Sequence, residues 1–410
     1  MKRKIIQQLK LWKDNPARKP LILLGARQVG KTWVMKHFGL TEFENVAYIN
    51  CDVEPLAKEL FAADYNIPRI LLTLQAITGT KIEAGKTLIV FDELQEVERG
   101  LHSLKYFQEN APEYHVMAAG SLLGITLGKG QSFPVGKVNV MHLYPMDFEE
   151  FLMAAGETDL CDLLHQPDWE ILKILSLKYI DLLRQYYYVG GMPEVMDCFF
   201  QHQNLQEVRD KQTEILDAYR RDISKHTTPT ESMRIGQVLQ SLPSQLAKEN
   251  KKFIYNVLKK GARSTEYELA IQWLMDAGLV HKVSRVKELQ MPVKFYEDLG
   301  AFKLFLLDCG LLGCMTEAPA SQMLVAQGFS PYYWSSDKTP AEIDFVVQTE
   351  HRVIPVEVKA EENVRARSMS EYIKNHPDYQ LRGLRISMMG YQDQEWMENI
   401  PLFAITKFFG

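Results

Sequence analysis

Between Pro20 and Pro145, short and nearly unbroken apolar runs recur between longer amphipathic stretches: LILLGA, VAYINCD, TLIVFDE, YHVMAAGS and KVNVMHLYP. Strands buried on both faces read as continuous apolar runs, so this rhythm predicts a parallel sheet wrapped by helices. From Asp147 to about Gln240 the period becomes helical, with wide apolar stripes in EEFLMAAG, WEILKILSLKYIDLLRQYYYV and LQEVRDKQTEILDAYRRDISKH. Gly190, Gly191 and Pro193 mark a break between two of these helices. Residues 241–295 then read as two short helices, a turn at Gly261, a longer helix over Ser264–Ala277 and a small hairpin, which is the order of a winged-helix module. Beyond residue 296, FKLFLLD and the hairpin-like pair AEIDFVVQTEHRVIPVEVKA predict a separate α/β domain.

A chain of 410 residues is too long for one ordinary core, and the expected division is 1–146, 147–240, 241–295 and 296–410. The hydrophobic content of 46% and charged content of 24% predict a chain folded throughout. A net charge of -5 provides no global attraction to nucleic acid or acidic membrane, so such contact needs a local basic face. The start MKRKIIQQLKLWKD is positive like a secretory signal, but Gln7, Gln8 and Lys10 interrupt the apolar core, and an amphipathic helix is expected. No apolar run approaches the ~20 residues that cross a bilayer. Five cysteines without a CxxC pair fit a reduced, cytoplasmic setting with no membrane partner. Cys309 and Cys314 lack a nearby Cys or His to complete a metal set and read as buried small hydrophobes.

The segment Gly25, Ala26, Arg27, Gln28, Val29, Gly30, Lys31, Thr32 follows an apolar strand and opens a helix-like stretch. Its glycines let the backbone curl so that amides face phosphates at a helix N-terminus. Lys31 would reach the β and γ phosphates and Thr32 would coordinate Mg²⁺, with ATP as the ligand. The strand TLIVFDE brings Asp92 to its C-terminal edge, where it would hold the magnesium shell, and Glu93 one residue on is placed as general base. Ser121, at the end of YHVMAAGS, stands where a polar side chain lies between the attacking water and the γ phosphate; a plain helix cap accounts for it nearly as well.

Near the C-terminus, Asp344, Glu357 and Lys359 form a D-x12-E-x-K arrangement. A hairpin would set Asp344 beside Glu357, and strand alternation puts Glu357 and Lys359 on one face. Two carboxylates that hold Mg²⁺ beside a lysine suit phosphodiester cleavage, although the spacing alone also describes a charged, exposed hairpin. Lys248, Lys251, Lys252, Lys259, Lys260 and Arg263 crowd into sixteen residues and offer a phosphate-binding patch for DNA. A solvated basic face or a protein contact explains them equally. The following helix carries Glu266, Glu268 and Asp276, which speaks against base-specific reading.

GARQVGKT, IVFDELQEV, AAGSLLG, LYPMDFEEFL, YVGGMPEVM, KLFLLDCGLL and YYWSSDKTPAEIDFVV with IPVEVKA together resemble a family of prokaryotic AAA-type ATPases. In that family a P-loop domain precedes a C-terminal domain of unknown function resembling PD-(D/E)XK nucleases. The resemblance spans nearly the whole chain. It implies an ASCE-type sheet, a restriction-endonuclease-like α/β domain, Mg-ATP as ligand and the same roles for Lys31, Thr32, Asp92, Glu93 and Ser121, while the helical stretch 147–240 reads as a lid or connector. It implies no substrate. The family carries Arg at the position of Lys137, and lysine lacks the planar fork of an arginine finger. AAA-type sites are often completed by a neighbouring subunit, so a homo-oligomer is an expectation that Lys137 weakens. Arg99, Arg220 and Arg221 are other finger candidates, each first read as a surface or structural pair. The connection Leu312–Pro331 lacks the family's Glu-Asn helix, and a degenerate nuclease-like site is expected. The readings, in order, are an ATPase that couples nucleotide state to a DNA or protein contact, an ATP-regulated nuclease, and a non-hydrolysing switch, the last disfavoured by Glu93.

Overall fold

The computed structural model describes residues 1–61, 64–120, 134, 136–166, 168–248, 250–313, 331–336, 339, 341–349, 352–359, 366–405 and 408. It divides into two compact units. One comprises Lys2–Tyr144 with Asp276–Leu279, and the other Met1, Pro145–Met275 and Val280–Gly410.

In the first unit the apolar runs are strands β1 (Leu21–Leu24), β2 (Asn45–Asn50), β3 (Thr87–Asp92), β4 (His115–Ala119) and β5 (Asn139–His142). They form one parallel sheet in the order β2-β3-β4-β1-β5, so β4 stands between β1 and β3. All residues of β3 and β4 are buried, which explains their unbroken apolar runs. Helices α1 (Ile5–Asp14), α2 (Lys31–Glu42), α3 (Pro55–Leu60), α4 (Ile67–Thr78) and α5 (Gly100–Asn110) complete the unit. Ile49, Phe61, Ile89, Phe91 and Phe107 lie in one buried cluster, with Phe61 edge-on to Phe91 at 5.7 Å.

The second unit begins with helices α6 (Phe148–Ala154), α7 (Thr158–Leu164), α8 (Trp169–Ile174), α9 (Ser176–Val189), α10 (Pro193–His202), α11 (Leu205–His226), α12 (Pro229–Leu246) and α13 (Ser264–Asp276). Asp147 opens α6 with a reciprocal capping box to Glu150. The buried Tyr186 packs against Phe148 and Phe151 and donates its hydroxyl to the Met146 carbonyl at 2.9 Å. The break at Gly190–Pro193 separates α9 from α10.

Two expectations are corrected here. The boundary at 240/241 falls inside α12, which runs through Pro243 to Leu246; among the described residues the short helices expected after it reduce to one 3-10 turn, Tyr255–Val257. Nor is the hairpin that was to close a winged helix confined to residues 241–295. Strand β6 (Val280–Val286) pairs antiparallel with β7 (Glu297–Leu306) and parallel with β8 (Tyr332–Ser335). It is an interior strand of a sheet of eight strands among the described residues, which continues through β9 (Glu342–Gln348), β10 (Val353–Lys359), β11 (Gly383–Ser387), β12 (Gln392–Gln394) and β13 (Met397–Pro401), in the order β12-β13-β11-β10-β9-β8-β6-β7. The physical reason is burial: Val280, Val283, Ser284 and Val286 are all inside, so β6 needs neighbours on both edges and cover on both faces. The boundary at 295/296 therefore separates two hydrogen-bonded strands. Helix α14 (Cys309–Leu312) follows β7, and α15 (Arg367–Asn375) packs on β9 and β11.

Asp308 joins the helices to the sheet within this unit. It is fully buried, its Oδ1 accepts from the Leu311 amide at 2.9 Å, and its Oδ2 accepts from the Gly191 amide at 2.6 Å. Truncation removes two charge-assisted bonds and leaves buried amides behind. Asp308→Ala is expected to lower the unfolding free energy of this unit by about 3 kcal/mol; denaturant titration of the native chain and the variant measures it, and a loss under about 1 kcal/mol would refute the assignment.

Candidate functional site

β1 ends at Leu24, and the chain turns through Gly25–Gly30 into α2, whose first residues are Lys31 and Thr32. A Cβ on Gly25 would lie 2.3 Å from the Leu143 carbonyl oxygen, and Gly30 takes φ 94° at the helix start, so glycine is required at both positions. Buried Arg3 donates to the Val29 carbonyl at 2.8 Å and the Tyr144 carbonyl at 2.6 Å, tying the loop to the chain that follows β5. Lys31 is buried as well. Its ammonium donates to the carbonyls of Gly25 at 2.8 Å and Ala26 at 2.7 Å. Burial pulls its pKa down to about 8, while Glu93 and Asp92 act in the opposite direction.

β3 ends on Asp92, which is 2% exposed. Its Oδ2 accepts from Thr32 Oγ1 at 2.6 Å and from the Tyr48 hydroxyl of β2 at 3.0 Å. Burial, reinforced by Asp92, pushes the Tyr48 pKa up and keeps it a donor. Glu93 leaves the strand at φ 52°, its amide donates to Asp92 Oδ1 at 3.2 Å, and its Oε2 accepts from Gln95 Nε2 at 2.6 Å. Thr32 and Asp92 are hard oxygen donors side by side, the chemistry Mg²⁺ takes, and the glycine-dependent loop has the form that holds phosphate. These residues therefore fit Mg-ATP.

Lys31, Thr32, Asp92 and Glu93 are thus gathered at one place, whereas Ser121 lies outside the described residues. Arg3, Tyr48 and Gln95 were missed by the sequence reading. The available signal was weak: a tyrosine and an asparagine near the end of VAYIN, and an amide two residues after the acidic pair. Three of the four finger candidates have partners within the chain, and the fourth, Arg221, is exposed. Lys137 pairs with Glu109 at 2.9 Å, Arg99 donates to the Tyr65 hydroxyl at 3.1 Å, Arg220 pairs with Asp217 at 2.7 Å, and Arg221 is exposed on α11.

In the second unit, antiparallel pairing of β9 and β10 brings Asp344 and Glu357 together. Asp344 Oδ2 accepts from the Val358 amide at 2.9 Å, and Lys359 pairs with buried Glu357 at 2.8 Å. The sequence reading missed two members of this group. Lys303 on β7 is 1% exposed, pairs with Glu342 at 2.5 Å and lies 4.5 Å from the Tyr333 ring centre. Lys251, also named from sequence in the phosphate-binding patch, is within electrostatic reach of Asp344 and Glu342, and burial lowers its pKa. By exposure it is half-buried. Lys248 and Lys252 are half-buried, which leaves Lys259, Lys260 and Arg263 as the exposed part of that patch.

The first unit's sheet order, glycine loop and acidic pair have the form of a P-loop domain. Residues 17–152 match the family model described as an AAA domain, which covers the sheet and both site motifs. Residues 180–322 match a domain of unknown function (DUF8612), and residues 312–408 match another (DUF4143). No curated protein sequence matches the chain. Among solved structures, the chain is similar to the ORC2 protein of Aeropyrum pernix in its ADPNP-ADP complexes, at 12% identity over 80% of this chain and 94% of that one, with a TM-score of 0.37. The ADP form of that protein gives 11%, 79%, 93% and 0.32. AMPPCP-bound DnaA from Aquifex aeolicus gives 14%, 67%, 86% and 0.28. Among the described residues no helix is long and apolar enough to cross a membrane.

Glu357 provides a pH test. Burial, with Asp344 adding to it, raises its carboxyl pKa from the ordinary 4.5 to about 7. The folded protein thus holds this proton more tightly than the unfolded chain does. Its contribution to stability is fully present below pH 4.5 and is lost as pH rises through about 7. Glu357→Gln should flatten the fall in unfolding free energy across that window, as followed by denaturant titration at several pH values; an unchanged slope would show that Glu357 is not the group responsible.

Proposed function

We propose that this protein is a Mg-dependent ATPase whose second unit makes the contact, with DNA or with a protein partner, that the nucleotide state controls. The observation that carries the first half is the convergence of Lys31, Thr32, Asp92 and Glu93 from two separate sequence motifs. Loop amides and Lys31 hold the phosphates, and Lys31 exchanges its carbonyl partners for phosphate oxygens. Thr32 and Asp92 would hold a magnesium ion, which when bound would screen phosphate charge. Glu93 takes the proton of the attacking water once its carboxylate is turned from Gln95. Lys259, Lys260 and Arg263 support DNA as the partner through phosphate contact.

Glu93→Gln is expected to bind ATP and to hydrolyse it about 100-fold more slowly, whereas Lys31→Ala should lose binding. Steady-state hydrolysis, with and without duplex and single-stranded DNA, measures both. Full activity in Glu93→Gln would remove it as the base, and tight binding without any native turnover would favour a nucleotide switch.

A nuclease reading is supported by the proximity of Asp344, Glu357 and Lys359, but the charge pairing weighs against cleavage. Lys359 and Lys303 already engage Glu357 and Glu342, and a backbone amide takes one Asp344 oxygen. Supercoiled and linear DNA should therefore stay intact with Mg²⁺ or Mn²⁺; cutting that disappears in Asp344→Ala would establish the nuclease instead.

A further inference from the structure

The helical part of the second unit carries a group of metal-ligating side chains that neither charged site uses. Glu149 lies on α6, Cys161 on α7 and His165 at the end of α7, and one ligand atom from each falls within 4.8 Å of the others. Cys161 and His165 are four residues apart and so share a helix face. The turn Ala155–Glu157, with Gly156 at φ 81°, folds α7 back beside α6, and this brings Glu149 to that face. Glu149 and Cys161 are walls of the site, at 2% and 6% exposure, while the His165 side chain is 57% exposed and closes it from the solvent side. His165 Nε2 stands 3.4 Å from Glu149 Oε2.

We propose that Glu149, Cys161 and His165 form a three-ligand site for a divalent transition-metal ion, zinc by preference, with water at the fourth position. Thiolate, imidazole and carboxylate together are a zinc donor set, whereas Mg²⁺ and Ca²⁺ take oxygen ligands. Tetrahedral bonds of about 2.0–2.3 Å place ligand atoms roughly 3.5 Å apart. The separations must then close by at most about 1.3 Å, which rotation of the exposed His165 supplies. The Cys161 thiol loses its proton to solvent as the metal–sulfur bond forms, and no oxidant or reductant takes part. The bound ion clips α6 to α7.

A second group, Cys198, His202 and Glu207, has the same four-residue spacing on α10. All three side chains are partly exposed, and His202 is already hydrogen-bonded to Glu207, so it serves as the internal comparison. The test is titration of chelator-treated full-length protein with Co²⁺, followed by Zn²⁺, reading the near-ultraviolet thiolate-to-cobalt absorption. One equivalent of cobalt should give the band and zinc should displace it. Cys161→Ser should abolish it, His165→Gln should weaken cobalt affinity at least about tenfold, and Cys198→Ser should leave it unchanged. The His165 substitution lies on the surface and keeps the test open if Cys161→Ser folds poorly. No band, a band that survives Cys161→Ser, or one lost only in Cys198→Ser would overturn the proposal.

Discussion

The Asp92 carboxylate is the constraint around which the first unit is arranged. A strand buried along its whole length carries a charge to its end, and that charge must be met by donors or be neutralised. Thr32 from α2 and Tyr48 from β2 meet it. Thr32 reaches Asp92 only because the glycine loop starts α2 at the correct height above β1, and β4 between β1 and β3 sets the lateral spacing. Arg3 fixes the same loop from its Val29 end. The carboxylate thus couples strand order, loop conformation and helix start, and a change in any one of them would be felt at the others.

This explains which parts of the site were legible in the sequence. Gly25 to Thr32 and Asp92 with Glu93 are local motifs, each tied to a strand end by the apolar run before it, and the apolar runs alone located the five described strands of the first sheet. Tyr48 is different, because its role depends on β2 lying beside β3 so that a hydroxyl reaches a carboxylate forty-four residues on. Arg3 is different again. In MKRKIIQQLK it is one cation among several, and only the fold sends its guanidinium inward to two backbone carbonyls.

In the second unit, strand identity was readable but partnership was not. VHKVSRV and the EDLGAFKLFL strand both carry strand signals, yet nothing local says whether they form a free wing or enter a larger sheet. The burial of β6 decides it, and burial is a property of the assembled sheet. Lys303 was hidden for the same reason: within FKLFLLD it looks like an exposed break in an apolar run, but the partner it finds is Glu342, thirty-nine residues away.

The two acidic centres differ in how their charge is met, and that difference bears on what each can do. Around Asp92 the nearest donors are neutral hydroxyls, and buried Lys31 is turned toward loop carbonyls, so the carboxylate charge stays available to an added cation. Around Asp344, ammonium groups already face the carboxylates: Lys303 on Glu342, Lys359 on Glu357, and Lys251 within electrostatic reach of both Glu342 and Asp344. A divalent ion entering there must displace or repel cations already seated, and Glu357, raised to about 7, is only partly ionised near neutrality. Carboxylates held by hydroxyls favour cation binding, and carboxylates held by lysines favour a self-neutralised core. The same residue type is therefore left open to an added cation in one unit and paired with lysines in the other.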